Sequence, residues 1–444
     1  MLALALALTQ TLTGDLDGIL QNPLLKGCSY SVYVTQTDGT VVYDRNSGLR
    51  LLPASNEKLF TNAWALHDLG LNYHPTTRFW KLRDKVVVDT TGDPMLTYED
   101  LAHVKDELHL DGTLPVYVHE PYRIGYLGHW SSDDLPYNYG APVTALTVDQ
   151  GSFEFWEDSK HGYCQPASYG TKIVRVKGET RHASYNPATR TISVSGPLPA
   201  EATMIDSYSL PEPDKAAASV LGKGFSETDQ VPTTPPDLVL EGPMLPVIVK
   251  ECLVHSLNNV AENLLLLTAL QNGSLGDDPY LTATSREKDF LVRVVGVEPD
   301  EFHPDDGCGL SRYNWVTTRS IAKLLQWEST QPTFSIWKQS LASPGNGTLK
   351  TRLPGSSFAG KTGTMSGVTA LSGYLTGKGG QPLVISMVFN FHLGPNSKIQ
   401  EIEDNIIKKI EATPSYGMVL EGSRVRESDS PHKSPGNFSA HRVH

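Results

Sequence analysis

The chain has 444 residues, of which 39% are hydrophobic and 19% charged, with a formal net charge of -12. That length exceeds one ordinary domain and can bury a sizeable core, so two or three compact units are expected. The acidic balance, with no basic run carrying interleaved aromatics, argues against a nucleic-acid partner or an anionic lipid surface.

The start, Met1-Leu2-Ala3-Leu4-Ala5-Leu6-Ala7-Leu8, reads equally well as the apolar part of a trimmed secretory signal and as a first turn of helix. So short a run cannot span a bilayer, and any membrane contact is expected to be peripheral. Residues 30–35 read as a strand, Asp38-Gly39 as a turn and residues 40–43 as a returning strand. From Leu59 the apolar positions Leu59, Phe60, Ala63, Trp64, Leu66 and Leu69 recur at helical spacing, with Gly70 as a stop.

From Thr77 the composition shifts to short β-like runs at 85–89, 116–118 and 191–194, broken by Gly, Pro and Asn. The prolines of Val231-Pro232-Thr233-Thr234-Pro235-Pro236 suit a rigid crossover that ends this unit. Two apolar stretches, 245–254 and 260–270, read as helices, as does 317–327. Residues 358–364 lead into a sheet edge, 368–375 and 382–391 are strand-like around a turn at 377–380, and 398–411 is an amphipathic helix. Beyond Thr413 the polar, basic tail (414–444) reads as disordered. The expected organisation is a catalytic unit from 15–76 plus 240–413, with 77–239 inserted, roughly 160 residues and itself of domain size.

Cys28, Cys164, Cys252 and Cys308 are too few and too scattered for a disulfide framework, so buried free thiols are expected. No H-E-x-x-H occurs, and His103 and His109, six apart on an expected helix, fall off one face. Neither a metal site nor a cofactor is implied.

Three short motifs carry the chemistry. Ser55 and Lys58 lie three apart at the mouth of the first helix, where i and i+3 share a face and free N–H groups point outward. The S-x-x-K pattern alone is weak, since it also occurs at Ser285–Lys288, Ser335–Lys338 and Ser430–Lys433. What singles out Ser55 is the ordered company of Ser256-Leu257-Asn258 and Lys361-Thr362-Gly363. A second S-x-N, Ser184-Tyr185-Asn186, is discounted because Pro187 would break a helix there.

Together the motifs resemble the S-x-x-K, S-D-N and K-T-G set of serine penicillin-binding proteins and β-lactamases, with Leu257 in place of the usual aspartate. The closer resemblance is to class C low-molecular-mass penicillin-binding proteins, the D-alanyl-D-alanine carboxypeptidase/endopeptidases. It rests also on Gly92 to Thr97, Ala141 to Asp149, Asn258 to Glu262, Asp306 to Arg312, Gly347 to Leu349 and Gly360 to Thr364. Cys308 stands where that family more often has a small hydroxyl. The resemblance implies an α+β or α/β penicillin-binding transpeptidase-like domain, an antiparallel sheet with helices, carrying a large mainly β insert.

It implies further a secreted, periplasmic or cell-envelope enzyme acting on D-Ala-D-Ala stem peptides of peptidoglycan and captured covalently by β-lactam antibiotics. Acyl transfer to serine needs a nucleophile, expected in Ser55, and a neutral amine to take its proton, expected in Lys58. That means lowering a side-chain pKa of about 10.4 by roughly 3, about 4 kcal/mol, through burial and a second cation, Lys361. Ser256 is expected to pass the proton to the leaving amine and Asn258 to hold the substrate amide. The N–H groups of Ser55 and Thr364 are expected to form the oxyanion hole, and Lys361, Thr362, Gly363 and Thr364 to hold the terminal carboxylate. For the stem side chain the resemblance implies Asp133 as partner of an amine, Trp130 and Met365 as apolar walls, and Arg312 nearby. The rival readings are a serine β-lactamase or esterase on the same scaffold and a peptidoglycan-binding pseudoenzyme. Carboxypeptidase versus endopeptidase preference and oligomeric state stay open.

Overall fold

The computed structural model describes residues 12–169 and 171–414. The leader at Met1 to Thr11, the tail beyond Pro414 and the Ser430–Lys433 pair lie outside these residues.

A five-stranded antiparallel sheet joins the two ends of the chain. Its strands are β1 (Ser29–Gln36), β2 (Val41–Arg45), β3 (Ala359–Met365), β4 (Val368–Thr376) and β5 (Pro382–Asn390). Their spatial order is β3-β4-β5-β1-β2, with β1 paired to β5 from Ser29↔Asn390 to Gln36↔Leu383. The β1–β2 turn uses Gly39 at φ +91° and an Asp38 carboxylate that accepts the Thr40 N–H at 2.9 Å.

Both faces of this sheet are covered, so its strands read as almost unbroken apolar runs. Along β5, Leu383, Ile385, Met387 and Phe389 face one core, and Val384 and Val388 face the other. The first core is closed by α1 (residues 12–20) and by α6 (Asn396–Ala412), whose Ile399, Ile402, Ile406, Ile407 and Ile410 form the buried stripe. The second is filled by α2 (Glu57–Asp68), α3 (Leu245–His255), α4 (Asn258–Gln271) and α5 (Thr318–Glu328). α5 starts from a capping box in which Thr317 and Ser320 bond each other's backbone N–H, one residue later than the spacing predicts.

Between α2 and α3 the chain is mainly β. Thr76–Lys81, Val86–Thr90, Val116–His119, Ser226–Glu227 and Leu238–Glu241 form a second five-stranded sheet, and two three-stranded sheets lie between 152 and 209. This region has its own core around Phe79, Leu101, Phe153, Phe155, Tyr208 and Leu221. Ser184, Tyr185 and Asn186 sit here on a strand, with the Tyr185 ring buried in that core. The helix at Tyr98–Glu107 stops before His109, which takes a left-handed φ of +49°, so the expected two-histidine helix is corrected to one histidine on the helix and one past its end.

Candidate active site

The Ser55 segment is clamped before it turns. Leu52 donates its N–H to Asn390 Oδ1 at 2.7 Å and accepts from Asn390 Nδ2 at 3.1 Å, which ties it to the end of β5. Ala54, at φ +46°, then starts a tight 3-10 turn over Ala54–Asn56 that runs straight into α2. A non-glycine residue there is held in a strained conformation by its surroundings, as is common beside reactive groups. One helical turn on, Lys58 is fully buried, and its Nζ lies 3.0 Å from Ser55 Oγ, 2.7 Å from Asn258 Oδ1 and 2.8 Å from the Cys308 carbonyl.

Asn258 and Ser256 reach the site from a sharp turn between two helices. α3 ends at Ser256, which adopts the left-handed conformation (φ +63°), and α4 begins at Asn258. Leu257 between them packs against the apolar core, so the hydroxyl and the amide still arrive although the usual carboxylate is missing. Asn258 Nδ2 donates to the Tyr139 carbonyl at 2.8 Å, which fixes its oxygen toward Lys58.

Lys361 comes from the sheet edge. On β3 its Nζ donates to Ser256 Oγ and to the Thr362 carbonyl, each at 2.8 Å. Burial first, and then the charge of Lys58, push the Lys361 ammonium well below its ordinary range. Lys361, expected as the second cation beside Lys58, has only a hydroxyl and one carbonyl to hold its own charge.

Two glycines allow these elements to touch. A Cβ on Gly363 would sit 2.9 Å from both Pro53 O and Asn56 Nδ2, and one on Gly309 would sit 1.9 Å from Ala54 O. Any side chain at either position would lever the K-T-G strand or the 306–312 loop away from the nucleophile.

Ser55, Ser256, Asn258, Gly309 and Thr364 line a cleft of about 670 Å³, together with Asp133, Arg312 and Met365. The structure therefore gathers all three motifs and most of the expected subsite around one space. Thr362 and Gly363 stand behind it, Thr362 largely buried and Gly363 against the nucleophile turn. Trp130 is a correction: it is 5% exposed, and its Nε1 donates to Asp306 Oδ2 at 2.9 Å instead of forming a cleft wall. Ser131, Asp134, Tyr139, Ser366 and Asn396 line the cleft and were not anticipated. Ser131, Asp134, Tyr139 and Ser366 sit in irregular segments and short turns, where no periodicity marks a position, and Asn396 is the first residue of α6. The remaining S-x-x-K pairs stand apart: Ser285–Lys288 and Ser335–Lys338 lie within other helices, and a further copy, Ser320–Lys323, has its serine in the α5 cap.

Behind α2 lies a cluster of buried acids. Both Asp306 oxygens are saturated: Oδ1 accepts from Gly309 N and Asn314 Nδ2, and Oδ2 from Ser311 N and Trp130 Nε1, at 2.6–2.9 Å. That carboxylate shapes the loop whose Cys308 carbonyl faces Lys58. Glu262 and Glu287 are each pushed up to about 8, chiefly by burial, and Glu57 well above its ordinary range by burial and then by Glu287. Hydrogen counting agrees for Glu287. The single Thr61 hydroxyl proton faces two acceptors, Gly307 O and Glu287 Oε1, both at 2.9 Å. A protonated Glu287 that donates to Thr61 Oγ1 leaves the Thr61 proton wholly to Gly307 O, whereas an ionised one must share it. Glu262, Asp306 and Cys308 offer donor atoms within 4.8 Å of one another, yet the saturated Asp306 has no lone pair left for a cation.

A family model described as the D-Ala-D-Ala carboxypeptidase 3 (S13) family matches residues 12–411. A D-alanyl-D-alanine carboxypeptidase of Actinomadura sp. (strain R39) is 31% identical over 442 residues, covering 86% of this chain and 81% of that one. Among solved structures, penicillin binding protein 4 of Haemophilus influenzae superposes with a TM-score of 0.75 at 18% identity, over 89% of this chain and 99% of its own. The same protein complexed with a novel β-lactam gives 0.67 at 19% identity, with the same coverage of both chains. A predatory peptidoglycan endopeptidase of Bdellovibrio bacteriovorus gives 0.53 at 13% identity, over 88% and 95% of the two chains. These structures show the penicillin-binding fold of the chain.

Proposed function

This chain belongs to the D-Ala-D-Ala carboxypeptidase (S13) family and is a serine DD-peptidase, and from that premise we propose how its own residues perform the reaction. Ser55 Oγ attacks the carbonyl of the penultimate D-Ala, and the terminal D-Ala leaves as an amine. Water then releases the acyl group from Ser55. One observation carries this reading: the Lys58 nitrogen lies 3.0 Å from Ser55 Oγ while two groups that can only accept, Asn258 Oδ1 and Cys308 O, take its other directions. A neutral amine there gives its two N–H bonds to those oxygens and keeps its lone pair for the Ser55 proton.

The proton has a route out. Lys361, depressed by burial and by Lys58, contacts Ser256 Oγ, and that hydroxyl shares the cleft with Ser55. Ser256 hands its proton to the departing amine and takes in its place the proton that Lys58 received from Ser55, so Lys361, which holds the Ser256 hydroxyl in place, ends with the protons it began with. The N–H groups of Ser55 and Thr364 receive the oxyanion, an interaction typically worth about 10²–10³ in rate. Thr364 and Lys361 hold the terminal carboxylate; Thr362 supports them from behind through its carbonyl. Asp133, Arg312 and Met365 receive the stem side chain, Asp133 taking an amine and Arg312 a carboxylate.

We assign catalysis to 15–76 plus 240–413, with 77–239 as the insert, and the working place to the periplasm or another extracytoplasmic face of the envelope. Among the described residues no helix is long and apolar enough to cross a membrane. β-Lactams are expected to acylate the same serine, because their ring carbonyl mimics the scissile amide. Labelled penicillin followed by peptide mapping tests the assignment: the adduct is expected on the peptide containing Ser55, and absent from Ser55→Ala. Label on another serine overturns it, and rapid release of the label would favour a β-lactamase.

A further inference from the structure

The insert carries a groove of about 780 Å³, larger than the catalytic cleft, and nothing in the reaction uses it. Its wall includes Asn138, Gln150 and Gln165, Ser152, the acidic residues Glu99, Asp149 and Glu154, and Tyr98. No lysine or arginine lines it among the described residues. We propose that this groove is a second binding site, for an uncharged, hydroxyl- and amide-rich sugar chain: the N-acylated glycan backbone of the wall polymer whose stem peptide occupies the catalytic cleft.

The lining chemistry selects that class. Amides pair with both hydroxyls and N-acyl groups, since each offers donors and an acceptor, and the half-buried Tyr98 can cover the apolar face of a sugar ring. Carboxylates without a compensating cation repel an anionic polymer.

The groove is also built to hold its shape next to the cleft. Asp149, Gln150 and Gly151 take successive left-handed φ values of +48°, +57° and +67°, a conformation that disfavours side chains at the first two positions. The turn is nonetheless clamped: Asp149 N donates to Leu96 O at 2.9 Å, Leu210 N to Gly151 O at 2.7 Å, and the Asp149 carboxylate accepts the Tyr169 hydroxyl at 2.8 Å. Gly151 packs against Ala141, Pro142 and the Asn259 amide, so the turn rests on the residue after catalytic Asn258. Asn138 lines the groove and its neighbour Tyr139 lines the cleft. A short stretch of chain thus forms the wall between the two sites, and one polymer can occupy both.

The inference rests on the DD-peptidase reading for its polymer, and its test separates the two. Full-length protein is first acylated with penicillin, which fills the catalytic cleft, and is then titrated by calorimetry with an uncharged oligosaccharide of N-acetylglucosamine. Wild type is expected to bind, and Gln165→Trp, which blocks an exposed rim position, to bind at least about tenfold more weakly. Gln150→Gly is the second variant: it suits the left-handed backbone, so the fold is kept while the amide is lost. Both variants are expected to release D-Ala from a short soluble stem peptide within about twofold of wild type, while turnover of intact wall falls about tenfold. Glycan binding that is absent in wild type, unchanged in both variants, or weaker than that of a stem peptide overturns the inference. Absence of D-Ala release from the short peptide by wild type would instead overturn the enzyme reading.

Discussion

Glu287→Gln is a direct test of the proton held beneath the nucleophile helix. Glu287 is fully buried and holds its proton up to about pH 8, whereas an ordinary glutamate releases it near pH 4.5. Between those values the native state binds one more proton than the unfolded chain, so stability is lost as pH rises and levels off above pH 8. The slope is about 1.4 kcal/mol per pH unit for one group, so about 3 kcal/mol is lost between pH 5.5 and 7.5. Gln keeps a donor for Thr61 Oγ1 and cannot ionise. It also adds an N–H where Glu287 Oε2 has no partner, a penalty of about 1–3 kcal/mol that does not depend on pH. Relative to wild type the variant is therefore expected to gain about 3 kcal/mol between pH 5.5 and 7.5 and to be the more stable of the two at pH 7.5. Urea unfolding at both pH values, followed by tryptophan fluorescence, measures the difference. A stability gap that is the same at both pH values would show that Glu287 is not protonated in the fold, and the hydrogen-count argument would fail with it.

Three other outcomes are expected. Ser256→Gly should fold normally, because φ +63° suits glycine, yet lose about 10²–10³ in the rate of penicillin acylation with its hydroxyl; equal rates would remove Ser256 from the proton route. Gly363→Ala places a methyl 2.9 Å from Pro53 O and Asn56 Nδ2, so acylation is expected to fall at least about tenfold with only modest loss of thermal stability, read by stopped-flow acylation and calorimetry. Asp133→Asn should raise KM about tenfold for a stem peptide whose side chain carries a free amine and leave hydrolysis of a small ester unchanged; an equal effect on both substrates would place Asp133 outside the subsite.

Some of this was already written in the chain. The apolar spacing after Leu59, the hairpin at Asp38-Gly39, the isoleucine stripe near the C-terminus and the ordered motifs at Ser55, Ser256 and Lys361 depend on local periodicity and residue chemistry, which a linear reading can see. The long β-like interruption between the first two motifs likewise announced an insert.

Other features had no local signature. Whether Trp130 lined the cleft or the core was decided by Asp306, a residue 176 positions away whose carboxylate needed another donor. The depression of Lys361 comes from burial and from the charge of Lys58, both set where strands, helices and loops meet and neither encoded at the lysine itself. Tyr139 entered the cleft from a short turn and Asn396 from the first residue of α6, and the groove in the insert arose from segments that share no motif. Composition and spacing determine which groups a protein has and which helix face they share; desolvation, close approach and the shape of a space between distant segments exist only once the chain has closed on itself.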